Sequence, residues 1–338
     1  MSKLQDVMAE LNKKNKETFV GSITEVPRES GGISFGLTGL DRMFKTRGVP
    51  RGRITQLVAE ANAGKSTLAM GVIASLHTAV DAGREKRGMV LFIDTERTFE
   101  EDYARNIGVQ VDDASKFLLM RPDDGIAAID AIEKLIDTGE LDLVVLDSIT
   151  FLIPRAYLEM EADKNLPAAQ SRQNSMLVQR LIGRLAKTNT AMLIVNHLGS
   201  GFKVDSYGNP ILDPRGGRML ANATSALVWL KKSKRPVDEK GNPTKDLNDG
   251  VAADVTITIK KNKLGRQDYE IPARMVFGQG FDPVYDLLQT AIDTGVVQKK
   301  GAWTYFGEQK WNGENALLQA LSEDVDLYQK LREAVLAA

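Results

Sequence analysis

At 338 residues and 43% hydrophobic content, the chain can bury a large core with attachments or form two domains, and no uninterrupted apolar run reaches the roughly 20 residues of a membrane helix. The absence of cysteine excludes disulfides and thiol catalysis, and only two histidines, His77 and His197, argue against structural zinc, so any metal should be oxygen-ligated magnesium. A net charge of -1 means that a nucleic-acid partner would have to meet local basic groups rather than a globally positive surface.

Leu4, Val7, Met8 and Leu11 recur at helical spacing, which predicts a short amphipathic helix that docks either on its own domain or on a neighbouring subunit. The same segment carries acidic residues and lacks the apolar stretch of a signal peptide, so the expected address is the cytoplasm. From Arg53 onward, apolar runs alternate with helical periods. RITQLVA, GMVLFID, FLLM, LDLVVLDS and AMLIVNH read as strands, with helices from Gly64, over 100–108, over 125–138 and within 168–187. Nearly continuous Val/Ile/Leu strands separated by helices predict an α/β core whose parallel sheet is covered on both faces. SALVWLKK and DVTITIKKNK have no helix between them and predict an antiparallel extension, joined by a solvated loop over KRPVDEKGNPTKDLNDG. Beyond Phe281 a helix, a hairpin (VVQKKGAWTYFGEQKW) and two short helices predict a small α/β appendix.

The chemistry begins at LVAEANAGKST, residues 57–67, which matches G-x-x-x-x-G-K-[ST] except that Ala59 stands at the first glycine. A strand runs into this loop and a helix leaves it, so backbone N–H groups of Ala59, Glu60, Ala61, Asn62, Ala63, Gly64, Lys65, Ser66 and Thr67 can form a concave array for a triphosphate. Lys65 is placed to bridge the β and γ phosphates of that triphosphate and Ser66 to ligate Mg²⁺. Alanine at 59 is tolerable provided its dihedrals lie in an ordinary region. Asp147 ends a buried strand and is placed to hold magnesium through a water; Glu96, past another strand, is placed to orient or deprotonate the attacking water. His197 ends AMLIVNH, where it is equally readable as a γ-phosphate contact or as a satisfied structural residue. The loop that follows is rich in glycine and proline and carries Phe202, Lys203, Tyr207, Arg215 and Arg218, a pairing of cations and aromatic faces that suits single-stranded nucleic acid.

Along nearly its whole length the sequence resembles the RecA-type recombinases. The matching segments are KETFVGSI, LTGLDRMFKTRGVPRGRITQL, the phosphate loop, FIDTERTFEEDYARNIGV, VVLDS, IVNH, the pair Gly216–Gly217, IKKNK and KGAWTYF. The resemblance implies an α/β fold: a RecA-like phosphate-loop ATPase core with a mostly parallel central sheet over residues 33–280, an N-terminal docking helix and linker over 1–32, and a small C-terminal α/β domain over 281–338 that gathers duplex DNA through groups such as Lys299, Lys300 and Lys310. It implies an ATP-dependent homologous recombinase that forms a helical filament on single-stranded DNA, admits double-stranded DNA and exchanges strands with DNA-stimulated ATP hydrolysis. By position, Tyr103 matches the residue stacked on adenine, with acidic Glu100 nearby. Lys261 and Lys263 match the pair that reaches a neighbouring subunit's ATP. Residues 159–172, ending in Arg172 with Ser175 just beyond, match the first DNA-binding loop, and 199–217 the second. The N-terminal helix and Ile23 match the segment that docks on the next subunit.

The sequence also departs from the family pattern. His197 replaces a usual glutamine, which would make its γ-phosphate sensing pH-dependent. Asn222 stands at a common interface phenylalanine, and no strongly acidic tail is present, which would weaken autoinhibition of duplex binding. A hexameric helicase or clock-type ring ATPase would share the phosphate loop but not KGAWTYF or the docking segment. A decayed, non-hydrolysing filament would not need to keep Lys65, Ser66, Glu96 and Asp147.

Overall fold

The structure, a computed structural model, describes residues 2–15, 20–21, 31–154, 157, 169–204, 208, 210–239, 241–246 and 249–338. The chain divides into two compact units, residues 1–30 and 31–338. In the first, the predicted amphipathic helix spans Lys3–Asn15 (α1) and leaves Leu4 and Val7 exposed. Ile23 lies outside the described residues.

The second unit opens with a two-stranded ribbon, β1 (Gly32–Ile33) against β2 (Val49–Pro50), and a short helix between them, α2 (Thr38–Arg42), and is built on a ten-stranded sheet. Its parallel part contains β3 (Ile54–Ala59), β4 (Val90–Asp94), β5 (Phe117–Met120), β6 (Leu143–Asp147), β7 (Ala191–Val204) and β9 (Ala226–Val237), in the spatial order β9-β3-β7-β6-β4-β5. β3, β4 and β6, and the first half of β7, are runs of mostly apolar, buried residues because both faces are covered there, and the period of two divides them between layers. Val90, Phe92, Leu143 and Val145 pack with Leu68, Val72 and Ile73 of α3 (Lys65–Asp81) on one face. Leu91, Ile93, Val144 and Leu146 pack with Ile129 and Ile132 of α5 (Gly125–Asp137) and Leu177 and Leu181 of α6 (Ala169–Thr188) on the other. Between them in sequence lies α4 (Glu101–Ile107), after β4.

Antiparallel strands β10 (Ala252–Asn262), β11 (Tyr269–Val276) and β12 (Gly280–Phe281) extend the sheet beyond β9. The expected loop 234–250 is shorter than its composition suggests: β9 continues through Lys234 and Arg235 to Val237, which also bridges Pro243. Part of the expected loop after His197 is likewise strand, since β7 runs to Val204 and pairs antiparallel with β8 (Pro210–Pro214). A short helix, α7 (Gly217–Ala223), leads into β9.

The C-terminal residues have their own apolar cluster, formed by Leu287, Leu288, Leu317, Leu331 and Val335. Helix α8 (Pro283–Asp293) starts at an Asp282 cap, followed by the three strands Gln298–Lys300, Trp303–Phe306 and Gln309–Asn312 and helices α9 (Glu314–Glu323) and α10 (Val325–Ala337). Asp286 ties this part to the core by accepting from the Gly39 N–H at 3.0 Å.

Candidate functional site

The carboxyl ends of β3, β4 and β6 lie side by side with the middle of β7, Ala59 being paired to His197 and Asp94 to Asp147. Open parallel sheets bind ligands at that end. A cleft of about 540 Å³ opens there, lined by residues 61–67, Glu96, Thr98, Tyr103, Asp147, Val195 and His197. Its far wall is Lys232 of β9 and Met275–Gly278 at the end of β11.

Ala59 is a buried strand residue held between β7 and β9, so its backbone needs no glycine and its methyl joins the core. Gly64 is different. Its φ is 92°, and an added Cβ would lie 2.8 Å from Met275 Sδ and 3.2 Å from Phe281 Cζ. Left-handed backbone and the close approach of β11 and β12 both require the bare residue. Asn62 also has positive φ, at 59°, a conformation that asparagine tolerates better than most residues.

The Lys65 ammonium is buried and donates to the carbonyls of Glu60 at 2.9 Å and Ala59 at 3.4 Å. Burial lowers its pKa, opposed by the charges of Asp147 and Glu96. Burial likewise pushes the Asp147 carboxyl up to about 6, against a hydrogen bond from Ser66 and the charge of Lys65, while Glu96 and Asp94 push it further up. The hydroxyl–carboxylate pair of Ser66 and Asp147 therefore faces the ammonium across the phosphate loop.

Glu96 is positioned by the turn after β4. The Thr95 N–H donates to the Asp147 carbonyl, its hydroxyl donates to the Ser148 carbonyl at 2.8 Å, and Asp94 accepts from the N–H groups of Thr98 and Phe99. Glu96 Oε1 accepts from the Ser148 hydroxyl and from His197 Nε2 at 2.9 Å. His197 thus touches Glu96 and sits edge-on to Phe151 at 6.1 Å between ring centroids. Tyr103 projects from α4 into the cleft, its hydroxyl 2.9 Å from that of Thr67. Glu100, at the N-cap of α4, is exposed and does not line the cleft.

A buried polar chain leads away from the cleft. Asn196 Nδ2 donates to Gln56 Oε1 at 2.8 Å and to the Arg215 carbonyl at 2.6 Å, and the Arg215 N–H donates to the His197 carbonyl. Gln56 continues the chain to the Thr224 hydroxyl. Arg215 itself is exposed; Gly216 and Gly217 have φ of 111° and 85°, and added Cβ atoms there would meet Leu220 and Ser171. Arg172 is exposed on α6, and Ser175 donates to the Ser171 carbonyl within that helix. Phe202 and Lys203 lie on β7; Tyr207 and most of the first expected DNA loop lie outside the described residues.

Lys261 and Lys263 are not brought to this cleft. Lys261 pairs with Leu227, which is level with Gln56, and the Lys263 N–H donates to the Ser225 carbonyl. At about 3.3 Å per strand residue, both lie some 10–17 Å back from Ala59, toward the opposite end of the sheet. Their ammonium groups donate to the carbonyls of Ala221, at 2.7 Å, and exposed Asn222, at 3.0 Å, at the end of α7.

Residues 3–282 match the family described as RecA N-terminal domain. Protein RecA of Thermus thermophilus is 33% identical over 335 residues, covering 98% of this chain and 93% of that protein. Protein RecA of Deinococcus radiodurans is 34% identical over 307 residues, covering 90% and 79% respectively. Protein RecA of Chlorobium chlorochromatii is 28% identical, covering 99% and 91%.

Proposed function

The chain belongs to the RecA family, and from that premise we infer that it is an ATP-dependent homologous recombinase, polymerising on single-stranded DNA and exchanging strands with a homologous duplex. The observation that carries this reading is the convergence of Lys65, Ser66, Glu96, Asp147 and His197 on one cleft at the carboxyl ends of parallel strands. Backbone N–H groups of 61–67 and the Lys65 ammonium bind the phosphates, and Tyr103 offers its ring to the base. Glu96 orients a water against the γ phosphate and takes its proton, with Ser148 and His197 holding the carboxylate.

The residues fit a divalent ion of the magnesium type. Among the described residues no cluster of three His, Asp or Glu side chains could hold a metal alone, whereas Ser66 with Asp147 suits an ion that takes its remaining ligands from water and phosphate. Held there, such an ion would neutralise phosphate charge.

Lys261 and Lys263, remote from their own chain's cleft, serve the ATP of a neighbouring subunit. A head-to-tail contact whose rotation does not close generates a helical filament, and α1 serves as a second docking element. Nucleotide state reaches DNA through His197, Asn196 and Arg215, which join the cleft to the second loop. Residues 1–32, 33–280 and 281–338 act as the docking, ATPase and duplex-gathering modules. Among the described residues no helix is long and apolar enough to cross a membrane.

ATP hydrolysis with and without single-stranded DNA, in the full chain and in Glu96→Gln, tests the reading. Strong stimulation by DNA that the variant loses is expected; hydrolysis indifferent to DNA would overturn it.

A further inference from the structure

A second cleft, of about 660 Å³, lies beside Lys263 and is lined by Arg42, Met43, Phe44, Lys45, Arg47, Lys263, Leu264, Gly265 and Arg266. Five of these nine residues are cationic and none is acidic. Lys45, Arg47, Lys263 and Arg266 are exposed, and none of the five cations forms an ion pair among the described residues. Arg42 Nη1 is buried with no hydrogen-bond partner. The acids beside this cluster are Asp293, which accepts from the Tyr269 hydroxyl and whose charge acts on Arg42, and buried Asp41, on which the charge of Arg47 acts. So much unpaired positive charge on a protein of net charge -1 calls for an anionic surface.

The nucleotide cleft has such a surface on its rim. Tyr103 brings α4 to the cleft wall, and around it stand Glu100, Glu101, Asp102 and Asp112, offset by Arg105. The Glu101, Asp102 and Asp112 side chains are 61%, 93% and 76% exposed. This rim and the basic cleft are features of one chain that cannot meet each other if Lys263 serves a neighbour's ATP. They can meet only between copies. Lys263 lines the basic cleft, so a copy whose Lys263 reaches the next nucleotide cleft would bring Lys45, Arg47 and Arg266 to that cleft's rim.

We propose that the Arg42–Lys45–Arg47–Arg266 cleft is the electrostatic half of the subunit contact, docking on the acidic first turn of α4 in a second copy of this chain and so clamping the shared nucleotide. The inference rests on the filament reading, since it takes Lys263 as the trans group. Heterologous contacts of this type pair two different surfaces of one chain, and charge complementarity across them fixes register.

The test uses the full chain with ATP and single-stranded DNA, reading the protein concentration at half-maximal assembly across a salt series. Lys45→Glu with Arg266→Glu, both at exposed positions, should raise that concentration about tenfold and flatten its salt dependence. Glu101→Lys with Asp102→Lys should do the same alone. Combining all four should restore assembly to within about threefold. Unchanged assembly in the first variant, while Lys263→Ala abolishes DNA-stimulated hydrolysis, would overturn the clamp and leave the recombinase reading standing. Lost duplex affinity with unchanged assembly would make the cleft a phosphate-backbone site, which also overturns it. Failure of the unaltered chain to assemble would sink the filament reading, and the clamp with it.

Discussion

Replacing Ala59 by glycine restores the usual phosphate-loop pattern and is expected to harm the protein. Ala59 is 1% exposed, lies in β3 between His197 and Leu230, and packs in the main apolar cluster. Removing its methyl forfeits about 0.8 kcal/mol of burial. The freer backbone of glycine within a strand adds roughly 0.5–1 kcal/mol. The sum, about 1.5 kcal/mol, lowers the midpoint of thermal unfolding by only about 2 °C in a unit of this size. ATP affinity should stay within about threefold, because the group of residue 59 that faces the phosphate lysine is its carbonyl, which both residues share. Differential scanning calorimetry and a nucleotide titration on the same preparation measure both quantities. Gly64→Ala is the contrast: positive φ and the 2.8 Å approach to Met275 Sδ should reduce ATP binding at least tenfold. If Ala59→Gly stabilised the protein, or tightened ATP tenfold, the claim that this strand end needs no glycine would be wrong.

Three further outcomes are expected. Lys263→Ala and Glu96→Gln subunits, each inactive alone, should regain about a quarter of full DNA-stimulated hydrolysis when mixed equally, because one random pairing in four unites an intact Glu96 with a neighbour's intact Lys263; no recovery would place both residues in one subunit's site. Burial pushes Asp41 and Asp286 up to about 7, with Arg332 and Arg47 acting against burial on Asp41, and Asp282 and Asp41 adding to it on Asp286. The folded chain then holds protons that the unfolded chain has released, so their contribution to stability falls as pH rises from about 4 to about 7 and stays low above that. Melting curves across this range should show the decline and Asp286→Asn should reduce it; an equal slope in the variant would refute the assignment. Finally, Phe202→Ala with Tyr207→Ala should abolish strand exchange while ATP binding persists, if an aromatic side chain of the second loop wedges between groups of bases; exchange at the unaltered rate would remove the wedge.

The parallel core was legible because its strands open as short apolar runs, and in β4, β6 and β7 such a run leads into Asp94, Asp147 and Asn196–His197, at the end of the sheet where chemistry collects. Lys65, Glu96, Asp147 and His197 could therefore be picked out before any coordinates. The partner of His197 could not: whether it faces phosphate or another side chain depends on the turn after β4, which Thr95 and Ser148 set across strands. Strand β11 escaped notice because Pro272 interrupts YEIPARMV. Proline is tolerated there because β12 pairs only with Met275 and Val276, leaving that edge open at residue 272. With β11 unseen, the wall of Met275–Gly278 and the reason for Gly64 were unseen too. Lys261 and Lys263 carry no signal of their own as strand lysines, since the site they serve is in another copy; only the resemblance of IKKNK marked them.

The measurement that bears most directly on the account is strand exchange between a single-stranded circle and a homologous linear duplex, followed with ATP, with ADP and with no nucleotide. The account predicts joint molecules that form with ATP alone and require homology. DNA-stimulated hydrolysis with no joint molecules under any condition would contradict it, leaving a RecA-family motor that does not recombine.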